Sequence, residues 1–274
     1  MVNFKKRHII LIISILSAAI VFALNRNFKK KKQKENTDVT NITYGIIGAM
    51  DYEIERLVSD MKYRKEENKS GLRFYIGTLK NYDVVIVKCG IGKVNAGRTT
   101  QVLISEYKPK YIINTGIGGG LNDKLNIGDI IISSDLIQHD FDVSVFGYAK
   151  GYLFIGNKKE PTKFKSNDEL SERMKDILEK VKENRKVYRG RILTGDSFIS
   201  SKEKRLELVN NFKGDCCEME GAAVAQVAFL NDVPFTVIRL ISDLPNGQGP
   251  EDYNKFEKEA AILSSIALEK FLES

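Results

Sequence analysis

From residue 42 onward, short β-branched runs alternate with amphipathic stretches. Residues 42–50 (ITYGIIGAM) and 82–90 (YDVVIVKCG) are apolar runs of strand length that end in glycine or turn residues, which predicts strands. Residues 52–58 (YEIERLV) and 93–107 (KVNAGRTTQVLISEY) read as helices, and 111–116 (YIINTG) and 128–134 (GDIIISS) as strands. A charged amphipathic helix is expected over 168–184, and 187–195 (VYRGRILTG) returns to strand. Between Gly221 and Leu230 only Gln226 is polar, the pattern of a helix buried on nearly every side. Residues 234–242 (PFTVIRLIS) read as a strand, and the chain closes on a helix with Phe256, Ala260, Leu263, Ala267 and Phe271 at helical spacing. This alternation predicts an α/β single domain, a twisted mixed central β-sheet flanked by helices, over residues 42–274.

The head of the chain breaks the pattern. FKKRH is a basic start, and Ile9 to Leu24 is an apolar run interrupted only by Ser14 and Ser17. Residues 1–24 read as a signal peptide or a membrane anchor. Small residues around Ala23 would permit cleavage, whereas the basic cluster RNFKKKKQK that follows resists translocation. Residues 25–41 read as a basic polar linker. Export or anchoring is therefore expected, with either side of the membrane open.

Charge sharpens this division. The net charge is +7, but nine of the 43 Lys and Arg and only two of the 36 Asp and Glu lie in residues 1–40. The body thus holds 34 of each sign and is neutral, so the overall basicity gives it no drive toward nucleic acid. Any membrane or polyanion contact is expected through residues 1–40. Three cysteines (Cys89, Cys216, Cys217) form no CxxC pattern and read as buried small residues. With only His8 and His139, a His-based metal site or a Ser-His-Asp triad has little room, so acid–base chemistry falls to carboxylates.

Carboxylates are prominent where strands end. Glu218 and Glu220 stand at the mouth of the buried helix, where an unpartnered acid is unfavourable unless it is hydrogen-bonded or holds a ligand. Glu53 and Asp243 end the runs GIIGAMDYE and RLISD, and a third strand end carries the glycines of NTGIGGG, read as a tight turn or a ligand cradle. Singly, Glu53 suits a helix first turn and Asp243 suits a turn or cap. Together they outline an acid-lined site.

The blocks GIIGAMDYEIERL, CGIGKVNAG, INTGIGGGL, IGDIIISSDLIQHDFDVSVFGY, LTGDSFI, CEMEGAAVAQVA and PFTVIRLISD follow one another in order across about residues 43–272. In this the chain resembles the bacterial 5′-methylthioadenosine/S-adenosylhomocysteine nucleosidases of the purine nucleoside phosphorylase-like fold. The resemblance implies an N-glycosyl hydrolase that needs no cofactor or metal and acts on a small nucleoside, 5′-deoxyadenosine included. It implies that Glu53 activates water with Arg239 nearby to orient it, that Asp243 protonates adenine N7, and that Glu220 accepts both ribose hydroxyls while Met219 packs on the sugar. Glu218 would position water or its neighbours. Phe198 and Ile199 would form the adenine pocket, Gly119 a backbone contact, and Met50 and Tyr253 the 5′-alkylthio pocket. Val143 and Phe146 would reach into the pocket of a second subunit, which implies a homodimer.

Two positions depart from the family's pattern. Ile117 stands where TGSAGG carries a small hydroxyl residue, and DLPNGQGPEDY adds Pro and Gly to the loop after Asp243. Two rivals remain at this point. One is a phosphorylase of the same fold, disfavoured because Asp51 and Glu53 would repel phosphate; the other is an exported protein that binds polyanions such as glycosaminoglycans.

Overall fold

The computed structural model describes residues 41–155, 159–181, 184–244 and 249–274. The leader reading and nearly all of the linker reading therefore lie outside the described residues, as does part of the loop after Asp243. Among the described residues, no helix is long and apolar enough to cross a membrane.

These residues form ten strands and six α-helices. The strands are β1 (Tyr44–Gly48), β2 (Lys62–Lys69), β3 (Leu72–Leu79), β4 (Tyr82–Lys88), β5 (Tyr111–Gly120), β6 (Ile130–Gln138), β7 (Phe164–Lys165), β8 (Val187–Thr194), β9 (Cys216–Glu218) and β10 (Phe235–Asp243). The helices are α1 (Asp51–Ser59), α2 (Lys93–Tyr107), α3 (Asp168–Val181), α4 (Lys202–Phe212), α5 (Gly221–Leu230) and α6 (Gly249–Leu272). The order across the sheet is β10-β6-β8-β9-β5-β1-β4-β3-β2, with β7 on β6. Because β10 also pairs with β5, five strands close into a ring, and β1, β4, β3 and β2 extend from β5 as an open wing. β1 runs parallel to β4 and β5, and β5 parallel to β10, while β2–β3, β3–β4, β6–β10 and β5–β9 are antiparallel. The sheet is mixed, as the pattern predicted.

The central strands carry continuous apolar runs because both of their faces are covered. All of β1 and β10, and β5 from Ile112 onward, is buried. α6 lays Ala261, Leu268 and Phe271 into the core beside Tyr44, Ile46, Ile113 and Ile238. It is also tied by hydroxyls, Thr115 to Ser264 at 2.8 Å and Ser265 Oγ donating to the Glu53 carbonyl at 2.9 Å. Those ties hold α1 and β5 in one frame.

The glycines of NTGIGGG are not a turn. They form the second half of β5, which leaves β1 after Asn114 and continues with β10 as far as Gly119. Their role is space. A Cβ at Gly118 would lie 2.7 Å from Cys216 Sγ and 3.0 Å from the Cys217 carbonyl, and one at Gly116 would lie 2.5 Å from Glu53 Oε1.

The polar hairpin β2–β3, helix α4 and the three-residue strand β9 complete the fold in stretches where no element was anticipated. β2 (KYRKEENK) is a largely exposed edge strand, so its apolar pattern is missing.

Gly118→Ala is expected to destabilise the fold by roughly 1–3 kcal/mol, the usual range for overpacking, because the new methyl meets neighbouring backbone. Urea unfolding would show this as a lower midpoint at similar slope. An unchanged midpoint would mean that β5 and β9 can spread freely.

Candidate active site

A cleft of about 360 Å³ opens where the parallel strands β1, β5 and β10 reach their C-terminal ends. It gathers residues far apart in sequence. Met50, Glu53, Gly119, Phe198, Ile199, Glu218, Met219, Glu220, Asp243 and Tyr253 all line it. Arg239, Val143 and Phe146 do not line it.

Glu53 occupies the gap left where β5 diverges from β1. Its Oε2 accepts from the backbone N–H of Ala49 at 2.6 Å and Met50 at 3.0 Å, and Oε1 accepts from that of Ile117 at 3.2 Å. Burial raises its pKa, opposed chiefly by the charge of Arg239 and by those three N–H groups. The side chain at Ile117, the departing position, is buried, lines the cleft and also packs in the core. The backbone therefore still serves Glu53 whatever the side chain. Asp51 faces away from the cleft, exposed and paired with Lys88 at 2.8 Å, so of the two acids expected to repel phosphate only Glu53 is in place.

Behind the cleft, Arg239 and Glu218 form a buried ion pair at 2.5 Å. Arg239 also donates to the Asn114 carbonyl at 3.2 Å and to the Asn114 side-chain oxygen, and Asn114 in turn donates to the Ile47 carbonyl at 2.9 Å. Arg239 hence bonds Glu218 and Asn114, and acts on Glu53 through its charge. Glu218 Oε2 further accepts from the N–H groups of Glu220 at 3.0 Å and Gly221 at 2.7 Å, the start of α5, where a carboxylate is favoured by the helix dipole. Its Oε1 accepts from the Thr194 hydroxyl, which itself accepts from Ala222 N at 2.7 Å. Glu218 thus orients its neighbours.

Glu220 and Asp243 face the cleft with fewer bonds. Glu220 Oε1 accepts from Gly92 N at 2.8 Å, at the N-terminus of α2. Burial and then the nearby Glu218 charge push its pKa up. Asp243 ends β10 and accepts from the Ser242 hydroxyl at 2.7 Å, while its Oδ2 lies where only a glycine at 119 leaves room. Burial pushes its pKa up to about 6. Phe198 stands half exposed at the rim, its ring edge-on to Tyr253 at 5.5 Å, and Ile199 is buried below.

Several supporting residues carried no signal as single letters. Asn114, Thr194 and Ser242 were read only as strand positions. Lys93 joins three loops: its N–H bonds Asp196 at 2.8 Å and its ammonium bonds Asp140 at 2.5 Å. Beyond Asp140, the segment with Val143 and Phe146 leaves Phe146 72% and Val145 86% exposed. Exposed Ile91 and Val94 stand at the start of α2.

Comparison with known proteins places the chain in a family. Residues 43–273 fit the model of the phosphorylase superfamily. A 5′-methylthioadenosine/S-adenosylhomocysteine nucleosidase of Staphylococcus aureus is 40% identical over 226 residues, 82% of this chain and 96% of that protein. The structure of such a nucleosidase from Colwellia psychrerythraea, in complex with adenine, superposes with a TM-score of 0.79 at 36% identity, covering 85% of this chain and 95% of that one. The Neisseria meningitidis counterpart, bound to methylthio-immucillin-A, gives 0.79 at 34% identity over 84% of this chain and 98% of its own. The chain belongs to the phosphorylase superfamily and, within it, to the 5′-methylthioadenosine/S-adenosylhomocysteine nucleosidases.

Proposed function

We propose that the protein hydrolyses the N-glycosidic bond of 5′-methylthioadenosine and S-adenosylhomocysteine, and of 5′-deoxyadenosine, releasing adenine. The observation that carries this reading is the set of three buried carboxylates, Glu53, Glu220 and Asp243, lining one cleft whose neighbouring buried arginine already bonds a fourth.

The chemistry follows from where each acid lies. Adenine leaves far more readily as a neutral base than as an anion, so a proton must reach N7. Asp243, with its pKa raised to about 6, retains a proton nearer neutrality than an ordinary aspartate. Phe198 and Ile199 would hold the base beside it, with Gly119 giving close backbone approach. As the bond breaks, positive charge grows on the ribose, and carboxylates near the sugar stabilise it. Glu220 accepts the ribose hydroxyls, with Met219 against the ring. Glu53, fixed by three backbone donors, takes the proton of the attacking water. Arg239 keeps Glu53 ionisable despite its burial and holds Glu218 in place. A phosphorylase would need cationic donors for a phosphate dianion at the position of that water. Glu53 makes the place unsuited to one.

Two further readings concern assembly and location. The exposure of the apolar side chains Ile91, Val94, Val145 and Phe146 supports a two-fold dimer in which Val143 and Phe146 complete the partner's 5′ pocket. Residues 1–24 are proposed to anchor or export the protein, with Arg26 to Lys34 touching anionic lipid or polyanions.

Asp243→Asn is expected to lower kcat by at least about 100-fold, the scale of a general acid, while an inert substrate analogue still binds. In the wild type the acid form is needed, so kcat/KM should fall as pH rises through about 6, where Asp243 loses its proton. A profile climbing steadily from mildly acidic to mildly basic pH would contradict the assignment. Phe146→Asp should shift sedimentation to a monomer and reduce kcat/KM about ten-fold or more, as removal of an interface anchor does; a fully active monomer would exclude the shared pocket. Full-length protein should bind anionic vesicles in a salt-sensitive way, and removal of residues 1–40 should abolish binding with adenine release intact. Tight vesicle binding by the truncated body at about 0.15 M salt, where screening leaves only close clusters effective, would place the basic face on the fold instead.

A further inference from the structure

Three charged residues just outside the cleft close a ring between segments far apart in sequence. Lys93 opens α2, Asp140 follows β6 and Asp196 follows β8. The Lys93 ammonium lies 2.5 Å from Asp140 Oδ1 and 3.9 Å from Asp196 Oδ2. Lys93 N–H donates to Asp196 Oδ1 at 2.8 Å, and Asp196 N–H donates to Asp140 Oδ2 at 2.9 Å. Against its burial, the hydrogen bonds from Lys93 and Asp196 hold the Asp140 carboxyl below its usual pKa. An exposed ion pair would fix little. Here the lysine and Asp140 side chains are only 18% and 27% exposed, and backbone donors complete the ring.

None of the three lines the cleft, but each end of the ring is one residue from a group that serves it. Gly92, before Lys93, donates its N–H to Glu220 Oε1 at 2.8 Å. It does so at φ +97°, where a Cβ would lie 3.1 Å from Asp196 Oδ1, so that carboxylate packs against the glycine. After Asp196 come Ser197, Phe198 and Ile199, which line the cleft in a stretch with neither helix nor strand. The ring thus ties the donor to Glu220 to the wall that carries Phe198.

We propose that Lys93, with Asp140 and Asp196, is a positioning clasp that holds Glu220 and the 197–199 wall in register, so that ribose and base are gripped together. The proposal rests on the nucleosidase reading above and adds positioning residues to that site. Lys93 touches no reacting atom and acts through Gly92 and Asp196. A charged hydrogen bond weakens as its donor turns away, and small misplacements of positioning groups are costly in rate.

The test uses full-length protein and compares adenine release from 5′-methylthioadenosine and from its 2′-deoxy analogue, which lacks one hydroxyl for Glu220. The measured quantity is the ratio of the two kcat/KM values, in which any loss of active protein cancels. Lys93→Met should lower the ratio about ten-fold, the low end for a lost hydrogen bond to a charged group. Asp140→Asn, which keeps the shape, should lower it in the same direction and carries the test alone if Lys93→Met does not fold. A ratio unchanged from wild type in the folded variants, including one where both substrates slow equally, would overturn the proposal. Wild-type protein that releases no adenine from 5′-methylthioadenosine would instead overturn the underlying hydrolase reading, and this proposal with it.

Discussion

The buried pair of Arg239 and Glu218 is the constraint on which the rest of the site depends. Two charges removed from water are unfavourable unless their remaining donors and acceptors are satisfied. Here each is tied to a different part of the fold. Arg239 reaches β1 through Asn114, and Glu218 holds the first N–H groups of α5 and the hydroxyl of Thr194. The pair thereby fixes the relative position of β1, β5, β8, α5 and β10. Its positive member also acts on the two acids beside it, opposing the burial that would otherwise neutralise Glu53 and Glu220.

Three carboxylates crowded near one arginine need room as well as charge balance, and β5 supplies the room. Its glycines let Glu53 and Asp243 approach the strand backbone from opposite ends of the run, at Gly116 and Gly119. A side chain at either would fill the place of a reacting group. Electrostatics then divides the labour. Burial raises the pKa of both, opposed at Glu53 by the charge of Arg239 and three backbone donors and at Asp243 by one hydroxyl donor, which leaves Asp243 at about 6. In the proposed reaction the first accepts a proton and the second gives one.

Much of this was legible in the sequence. Strands such as β1, β4 and β10 are buried on both faces and announce themselves as β-branched runs, and α5 as an apolar block. β3 was not anticipated although Leu72, Phe74 and Ile76 alternate with Arg73, Tyr75 and Gly77, because its partner β2 is nearly all charged and hid the hairpin. The acids were found because a carboxylate next to an apolar run is anomalous. Their supports were not, because Asn114, Thr194 and Ser242 are ordinary strand residues until the fold brings them to a charge. Of the two readings of the glycine run, the turn fails because the register with β10 extends the strand through it, while Gly118 and Gly119 do line the cleft.

The central claim is that water, admitted beside Glu53, is the nucleophile. It is tested most directly by following adenine release from 5′-methylthioadenosine with purified protein in the absence and presence of phosphate, and by identifying the sugar product. The account predicts the same rate in both and free 5-methylthioribose as the product. Turnover that requires phosphate and yields 5-methylthioribose 1-phosphate would contradict it.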